Sequence, residues 1–168
     1  MVKVVKFGGS SLASAEQFAK VGKIIRADKT RKYVVPSAPG KRDSKDTKVT
    51  DMLYACYALA DADEDFSGLM MKIKDRYDSI IKGLQMSLSL DEEFKIITEN
   101  FKNKAGSDYA ASRGEYLNGI IMAHYLGYEF IDAAEVIFFD ENGVFDADKT
   151  NKVLSKRLEG MENAVVPG

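Results

Sequence analysis

Cysteine and histidine occur once each, and tryptophan not at all, in this chain of 168 residues. A lone Cys56 has no partner for an internal disulfide, which excludes a small secreted fold stapled by such bridges. One cysteine and one histidine are also too few for a structural zinc site, and no metal ligands are assigned. No large excess of either charge is present. The 24 lysines and arginines are balanced by 26 aspartates and glutamates, for a net −2. No chain-wide basic surface is therefore available to grip nucleic acid. Long apolar runs are absent, so no segment reads as a membrane span. The first nine residues lack the apolar stretch and cleavage site of a secretory signal. The expectation is a cytoplasmic protein with neither a nucleic-acid nor a membrane partner. No internal repeat or low-complexity tract is present, and prolines number only three.

What remains is ordinary for a globular protein: 45% apolar and 30% charged residues, at a length suited to one domain. Residues 2–7 read as a strand and end in Gly8-Gly9-Ser10-Ser11. Residues 13–27 read as a helix, with Ala15, Phe18, Ala19, Gly22 and Ile25 at three- and four-residue spacings. A second strand at 32–35 closes in Pro36-Ser37-Ala38-Pro39-Gly40. Strand, glycine turn, helix, strand is the unit of an α/β domain. Residues 41–48 read as a charged, solvated loop. Helices are then expected from 49 through 59, from 69 to 84 and from 91 to 102, together an inserted helical lobe at about 49–104. A further helix runs from 107 to about 126 and stops at Gly127. Gly114 and Gly119 lie inside it at a cost of about 1 kcal/mol each against alanine, a sign of close packing or ligand approach. Strands are expected at 128–131, 136–139 and 164–166, and a helix at 150–158 capped by Asp148 or Thr150. Short strands separated by helices predict a mainly parallel sheet covered on both faces, a three-layer α/β sandwich.

Chemistry concentrates in a few places. Lys6 precedes Gly8, Gly9 and Ser10 at the end of the first strand. Backbone amides there can form an anion nest, with Lys6 neutralising charge. The alternative is a glycine turn required by topology beside a surface lysine. The lysine-first order is neither the P-loop nor the dinucleotide pattern. Ser37 follows the second strand and would fall at the same sheet edge, where open α/β sheets bind ligands; a plain proline-rich turn explains it equally. Thr50 stands where a helix begins and either caps it or touches an anion. Glu115, in Ser112-Arg113-Gly114-Glu115, either faces a cleft or forms an ion pair on a solvated helix face. His124 and Cys56 read as packing residues.

These segments resemble the N-terminal part of the aspartate kinases, members of the amino acid kinase superfamily. Val4 to Ser11 looks like the family's opening signature, Val35 to Gly40 like its serine loop, Val49 to Leu53 like its amino-acid segment, and Ser112 to Glu115 like its second signature. The order and separations match, and the resemblance spans essentially the whole chain. It implies the carbamate kinase-like fold and the transfer of the ATP γ-phosphoryl group to the β-carboxylate of L-aspartate. The product, 4-phospho-L-aspartate, lies on the route to lysine, threonine and methionine. It implies ATP and Mg2+ as cofactors and a homo-oligomeric parent. By the same resemblance Lys6 stabilises the transferred phosphoryl group, and Gly8, Gly9 and Ser10 supply donors to phosphate. Ser37 and Thr50 contact aspartate, and Glu115 holds its α-ammonium.

Residues 164–168 read as a core strand followed by half a turn leading onward. The expectation is therefore the N-terminal piece of a longer enzyme, without its nucleotide-binding half or regulatory ACT domains and inactive by itself. Three other readings stand beside this one. The first is a relative acting on acetylglutamate, glutamate, carbamate or a nucleotide monophosphate. The second is a non-catalytic phosphate-binding protein of the same fold. The third is a nucleotide-binding α/β protein of unrelated type, which the lysine-first order does not suggest.

Overall fold

A computed structural model describes residues Met1–Gly168. Strands β1 (Lys3–Phe7), β2 (Arg31–Pro36), β3 (Glu129–Phe130) and β4 (Ala164–Val165) form one sheet in the order β1-β2-β4-β3. Every pairing is parallel, so the loops that follow the strands all leave from one edge. Phe7 is paired with Pro36 at the end of the β1–β2 ladder. The glycine loop and the serine loop therefore emerge side by side.

Side chains alternate across the sheet as the two-residue period of a strand demands. Val5, Phe7, Val34 and Val165 join the main core, while Tyr33, Ala164 and Val166 join a smaller cluster on the other face. The main core draws on α1 (Ala15–Arg26), α2 (Val49–Asp61), α3 (Ser67–Gly83), α4 (Asp91–Lys102) and α5 (Ser107–Leu126). The Ser14 hydroxyl caps α1 by accepting from the Gln17 amide. The three helices between β2 and α5 pack into the same core as α1 and the sheet. Helix α5 touches α2, α3, α4 and three strands, so its apolar residues extend around most of its circumference. Gly127, in the left-handed region with φ 72°, ends it. A Cβ on Gly114 would stand 2.8 Å from that of Ala38, and one on Gly119 2.8 Å from the Pro167 ring. Both helical glycines therefore serve close packing.

Helices α6 (Ala133–Val136) and α7 (Ala147–Leu158) lie against the second face through Val136, Val153, Leu154 and Leu158. The result is the expected three-layer α/β architecture. The second cover stops short of β1, where Val4 is 66% exposed. An apolar groove of about 590 Å3 runs between Val4, Val35, Ile137, Leu154 and Leu158. No helix is long and apolar enough to cross a membrane.

Two local expectations change. Residues 136–139 form no strand of the sheet: Val136 closes α6, and Phe139 makes only an isolated antiparallel bridge with Phe145. The Asp132 carboxylate accepts from the Ala134 amide and starts a helical turn, and the Asp140 carboxylate accepts from the Asn142 and Val144 amides and folds the chain back. These short-range bonds outweigh the β propensity of the apolar run. Helix α7 starts three residues before Thr150, capped by Asp146 rather than Asp148. Thr150 is buried, and its hydroxyl accepts from the Phe138 amide.

Candidate functional site

The loops after β1 and β2 lock together backbone to backbone. The Ser37 amide donates to the Phe7 carbonyl at 3.0 Å, and the Gly40 amide to the Gly9 carbonyl at 2.8 Å. A Cβ on Gly9 would come within 2.7 Å of the Ala38 oxygen, and one on Gly40 within 2.7 Å of the Gly9 carbonyl carbon. Glycine at both positions is thus a steric condition for the two loops to touch. The next link runs onward, from the Val49 amide to the Pro39 carbonyl at 3.1 Å, which fixes the start of α2 against the serine loop.

This assembly walls a cleft of about 450 Å3 at the carboxyl edge of the sheet. Gly9, Ser10, Ser37, Thr50 and Glu115 all line it, joined by Lys41 and Lys48. Five of the seven residues singled out from sequence therefore meet, although Gly9 and Glu115 are more than one hundred positions apart. Gly8 and Lys6 do not line the cleft. Gly8 sits just before the 3-10 turn Gly9–Leu12, extended at φ −76° and ψ 166°. A Cβ there would meet nothing within 4 Å, so neither conformation nor packing demands its glycine. Lys6 is exposed on β1 opposite Val35, on the strand face that also carries Val4. Its positive charge nonetheless reaches Glu115, where it is the least of the influences that oppose the upward push of burial on that carboxyl's pKa.

Donors and charges are arranged for an anionic, amino-bearing ligand. The first bond of the 3-10 turn runs from the Ser11 amide to the Gly8 carbonyl. The amides of Gly9 and Ser10 precede it, with no acceptor inside the turn. Helix α2 has no side-chain cap at Lys48, so the amides of Thr50 and Asp51 likewise lack an intrahelical acceptor. Thr50 therefore lies inside the helix and does not cap it. The Ser37 backbone is engaged on both sides, by its own amide to Phe7 and by the Asn118 side-chain amide donating to its carbonyl at 2.6 Å. Its hydroxyl is the polar group left over. Glu115 has its pKa raised, chiefly by burial; the Ala38 and Glu115 amides and the Lys6 charge oppose this. A half-buried carboxylate held above its usual range gains when an ammonium arrives. No group of three or more His, Cys, Asp or Glu side chains is placed to hold a metal ion.

Several contributors to the site carry little signal in the sequence pattern. Lys41 and Lys48 were part of the loop read as solvated, and only the fold brings them to the cleft. Asp46, in the same loop, is an anchor: its carboxylate accepts two bonds from the Arg42 guanidinium, at 2.8 and 3.0 Å, and a third from Arg76. Asn118 and Arg76 are buried polar residues on helices whose apolar spacing was the only visible signal. A polar residue on the apolar face of a predicted helix would have been the clue.

Comparison with known proteins bears on the family and the fold. Residues 1–161 match the amino acid kinase family. Over 141 residues the chain is 39% identical to Aspartokinase 3 of Bacillus subtilis, covering 80% of this chain and 31% of that protein. The crystal structure of Clostridium acetobutylicum aspartate kinase superposes with a TM-score of 0.95 at 49% identity, over 98% of this chain and 38% of that one. Escherichia coli aspartokinase III, solved in complex with aspartate and ADP, has the same fold, with a TM-score of 0.76 at 19% identity over 100% of this chain and 40% of that one. The chain thus spans about a third of the length of the relatives it matches.

Proposed function

Because this chain belongs to the amino acid kinase family, we propose that it supplies the acceptor side of an aspartate kinase. The reaction moves the γ-phosphoryl group of ATP to the β-carboxylate of L-aspartate, giving 4-phospho-L-aspartate and ADP. The observation that carries the reading is the cleft itself, where Ser37, Thr50 and Glu115 stand together beside the glycine loop. Likeness to aspartate kinases from two sources supports the choice of acceptor. The pathway role is the first step toward lysine, threonine and methionine, in the cytoplasm, and the working enzyme is a homo-oligomer.

The acceptor carboxylate is already a nucleophile, so the chemistry needs no general base. It needs two anions held together and the charge of the transition state offset. Glu115 binds the α-ammonium and orients the amino acid. The Ser37 and Thr50 hydroxyls donate to its carboxylates, with Lys41 and Lys48 adding positive charge. The Gly9 and Ser10 amides face the phosphate side, at the open space beside Gly8. Lys6 approaches from the second face of the sheet and offsets charge on the transferred group. A carboxylate oxygen forms the new bond to phosphorus as the bridging bond to ADP breaks, and ADP leaves with the electron pair. Mg2+ accompanies ATP in this reading; the residues present do not form a cage for it, and no step is assigned to it.

The test is calorimetric titration of the chain with L-aspartate, N-acetyl-L-aspartate, N-acetylglutamate, glutamate, carbamate and a nucleoside monophosphate. L-aspartate should bind, and blocking its ammonium should abolish binding. Glu115→Gln should weaken L-aspartate by about tenfold or more, the cost of losing a charged partner. Equal affinity for the acetylated and free amino acid would sink the reading. Preference for another acceptor would move the chain to a sister activity.

A further inference from the structure

Helix α3 contributes nothing to the lining of the acceptor cleft, yet two adjacent side chains on it bond to the segments that carry that lining. Arg76 is 5% exposed. One terminal nitrogen of its guanidinium, Nη2, donates to the Ala13 carbonyl at 3.0 Å and to the Gly40 carbonyl at 2.6 Å. The other, Nη1, donates to the Asp46 carboxylate. Ala13 closes the turn that follows the glycine loop, Gly40 closes the serine loop, and Asp46 belongs to the basic loop between Lys41 and Lys48. One buried fork therefore ties the connection after β1, at one point, and the connection after β2, at two, to a helix of the core. Next to it, the Tyr77 hydroxyl donates to the Gly114 carbonyl at 2.8 Å, one residue before Glu115.

We propose that Arg76 is a positioning residue for the acceptor cleft, holding the glycine, serine and basic loops in the one register that brings Ser10, Ser37, Lys41 and Lys48 together. The inference rests on the acceptor reading above and adds a residue that touches no ligand. The planar fork is what the task requires, because its donors diverge from a rigid plane toward two carbonyls and a carboxylate at once. A lysine ammonium is a point donor and cannot span the three acceptors. Asp46 completes the device from the loop side. Its carboxylate also takes the Arg42 backbone amide at 2.9 Å and the Arg42 guanidinium, so the chain from Lys41 to Lys48 is pinned near its middle. With the fork gone, the Gly40 carbonyl and Asp46 lose their shared anchor, and Lys41 and Lys48 lose their fixed places.

The experiment compares Arg76→Met, Arg76→Lys and Asp46→Asn with the unsubstituted chain in three measurements: L-aspartate affinity by calorimetry, urea midpoint, and amide hydrogen exchange. Arg76→Met should weaken L-aspartate by about tenfold and Asp46→Asn by about threefold, a scale typical of breaking one coupled network. Arg76→Lys should recover little of the affinity. The Gly40, Arg42 and Val49 amides should exchange faster in Arg76→Met, with helix α4 unchanged. Affinity preserved in Arg76→Met while its urea midpoint falls would show a merely structural role and overturn the proposal. So would uniform acceleration of exchange, or full rescue by lysine. Should Arg76→Met fail to fold, Asp46→Asn, which leaves the core intact, decides by the same affinity and exchange outcomes. Should the unsubstituted chain bind no L-aspartate, the acceptor reading fails by itself, and faster or unchanged exchange at Gly40, Arg42 and Val49 still upholds or overturns the brace.

Discussion

A methyl group on Gly9 would stand 2.7 Å from the Ala38 carbonyl oxygen, whereas one on Gly8 would meet nothing within 4 Å. Neighbours in sequence, they differ in physical role. Gly9→Ala forces two backbones apart and should cost about 1–3 kcal/mol of stability in a urea titration. Gly8→Ala, in an extended conformation open to alanine, should be neutral or stabilising by up to about 1 kcal/mol, through the unfolded chain alone. If phosphate approaches beside Gly8, the same stable variant loses phosphotransfer in the complete enzyme. Glu115 makes the stability of the fold depend on pH. Its raised pKa means the folded state holds the proton more tightly than the unfolded one. Its effect favours folding at low pH, and that benefit is lost as pH rises through the raised pKa. Glu115→Gln should therefore raise the thermal midpoint at pH 7, and the gain should vanish near pH 4. Cys56 is fully buried, and burial pushes its thiol up to about 11. Thiol reagents at pH 8 should leave it unmodified until denaturant is added.

Helix α5 carries the tension between propensity and packing at the scale of the element. Replacing Gly114 by alanine gains about 1 kcal/mol of helix propensity. The new methyl would lie 2.8 Å from the Ala38 Cβ and 3.2 Å from Leu53 Cδ1, an overpacking that costs about 1–3 kcal/mol. The balance predicts a lower urea midpoint, and a serine loop pushed off Glu115 predicts weaker L-aspartate binding; a midpoint above that of the parent would show that Ala38 yields freely. Helices were the legible elements. The three- and four-residue spacing of Phe94, Ile97 and Phe101 placed α4 at its observed bounds, and Gly127 marked the end of α5. Strands of two residues were harder to read. Residues 136–139 carry the β-branched and aromatic types of a strand, but side-chain caps at Asp132 and Asp140 took control of the backbone. Such local bonds depend on rotamers that spacing does not reveal.

For the molecule as a whole, parallel strand order explains why the site was partly readable. Loops that follow β1 and β2 must share an edge, so Gly9, Ser10 and Ser37 could be paired before any coordinates. Arg76 could not, because its partners are two carbonyls and one carboxylate at separations of 63, 36 and 30 residues. Backbone acceptors leave no trace in residue types. The same brace governs how the molecule responds to acid. Hydrogen bonds from Arg42, and then Arg76, hold the Asp46 carboxyl well below the usual carboxylate range. A depressed pKa in the folded state contributes stability above the unfolded value of about 4, and that contribution is lost as pH falls toward the folded value. Asp28 is shifted in the same direction by Lys3 and Thr30, but at a partly exposed site. Glu115 acts in the opposite direction. Between pH 6 and pH 3 the urea midpoint of the parent chain should therefore fall, and in Asp46→Asn it should fall by visibly less, from a lower start. Equal slopes in the two proteins would mean that Asp46 carries none of the acid dependence, and that the loops are held by the carbonyl bonds of Arg76 alone.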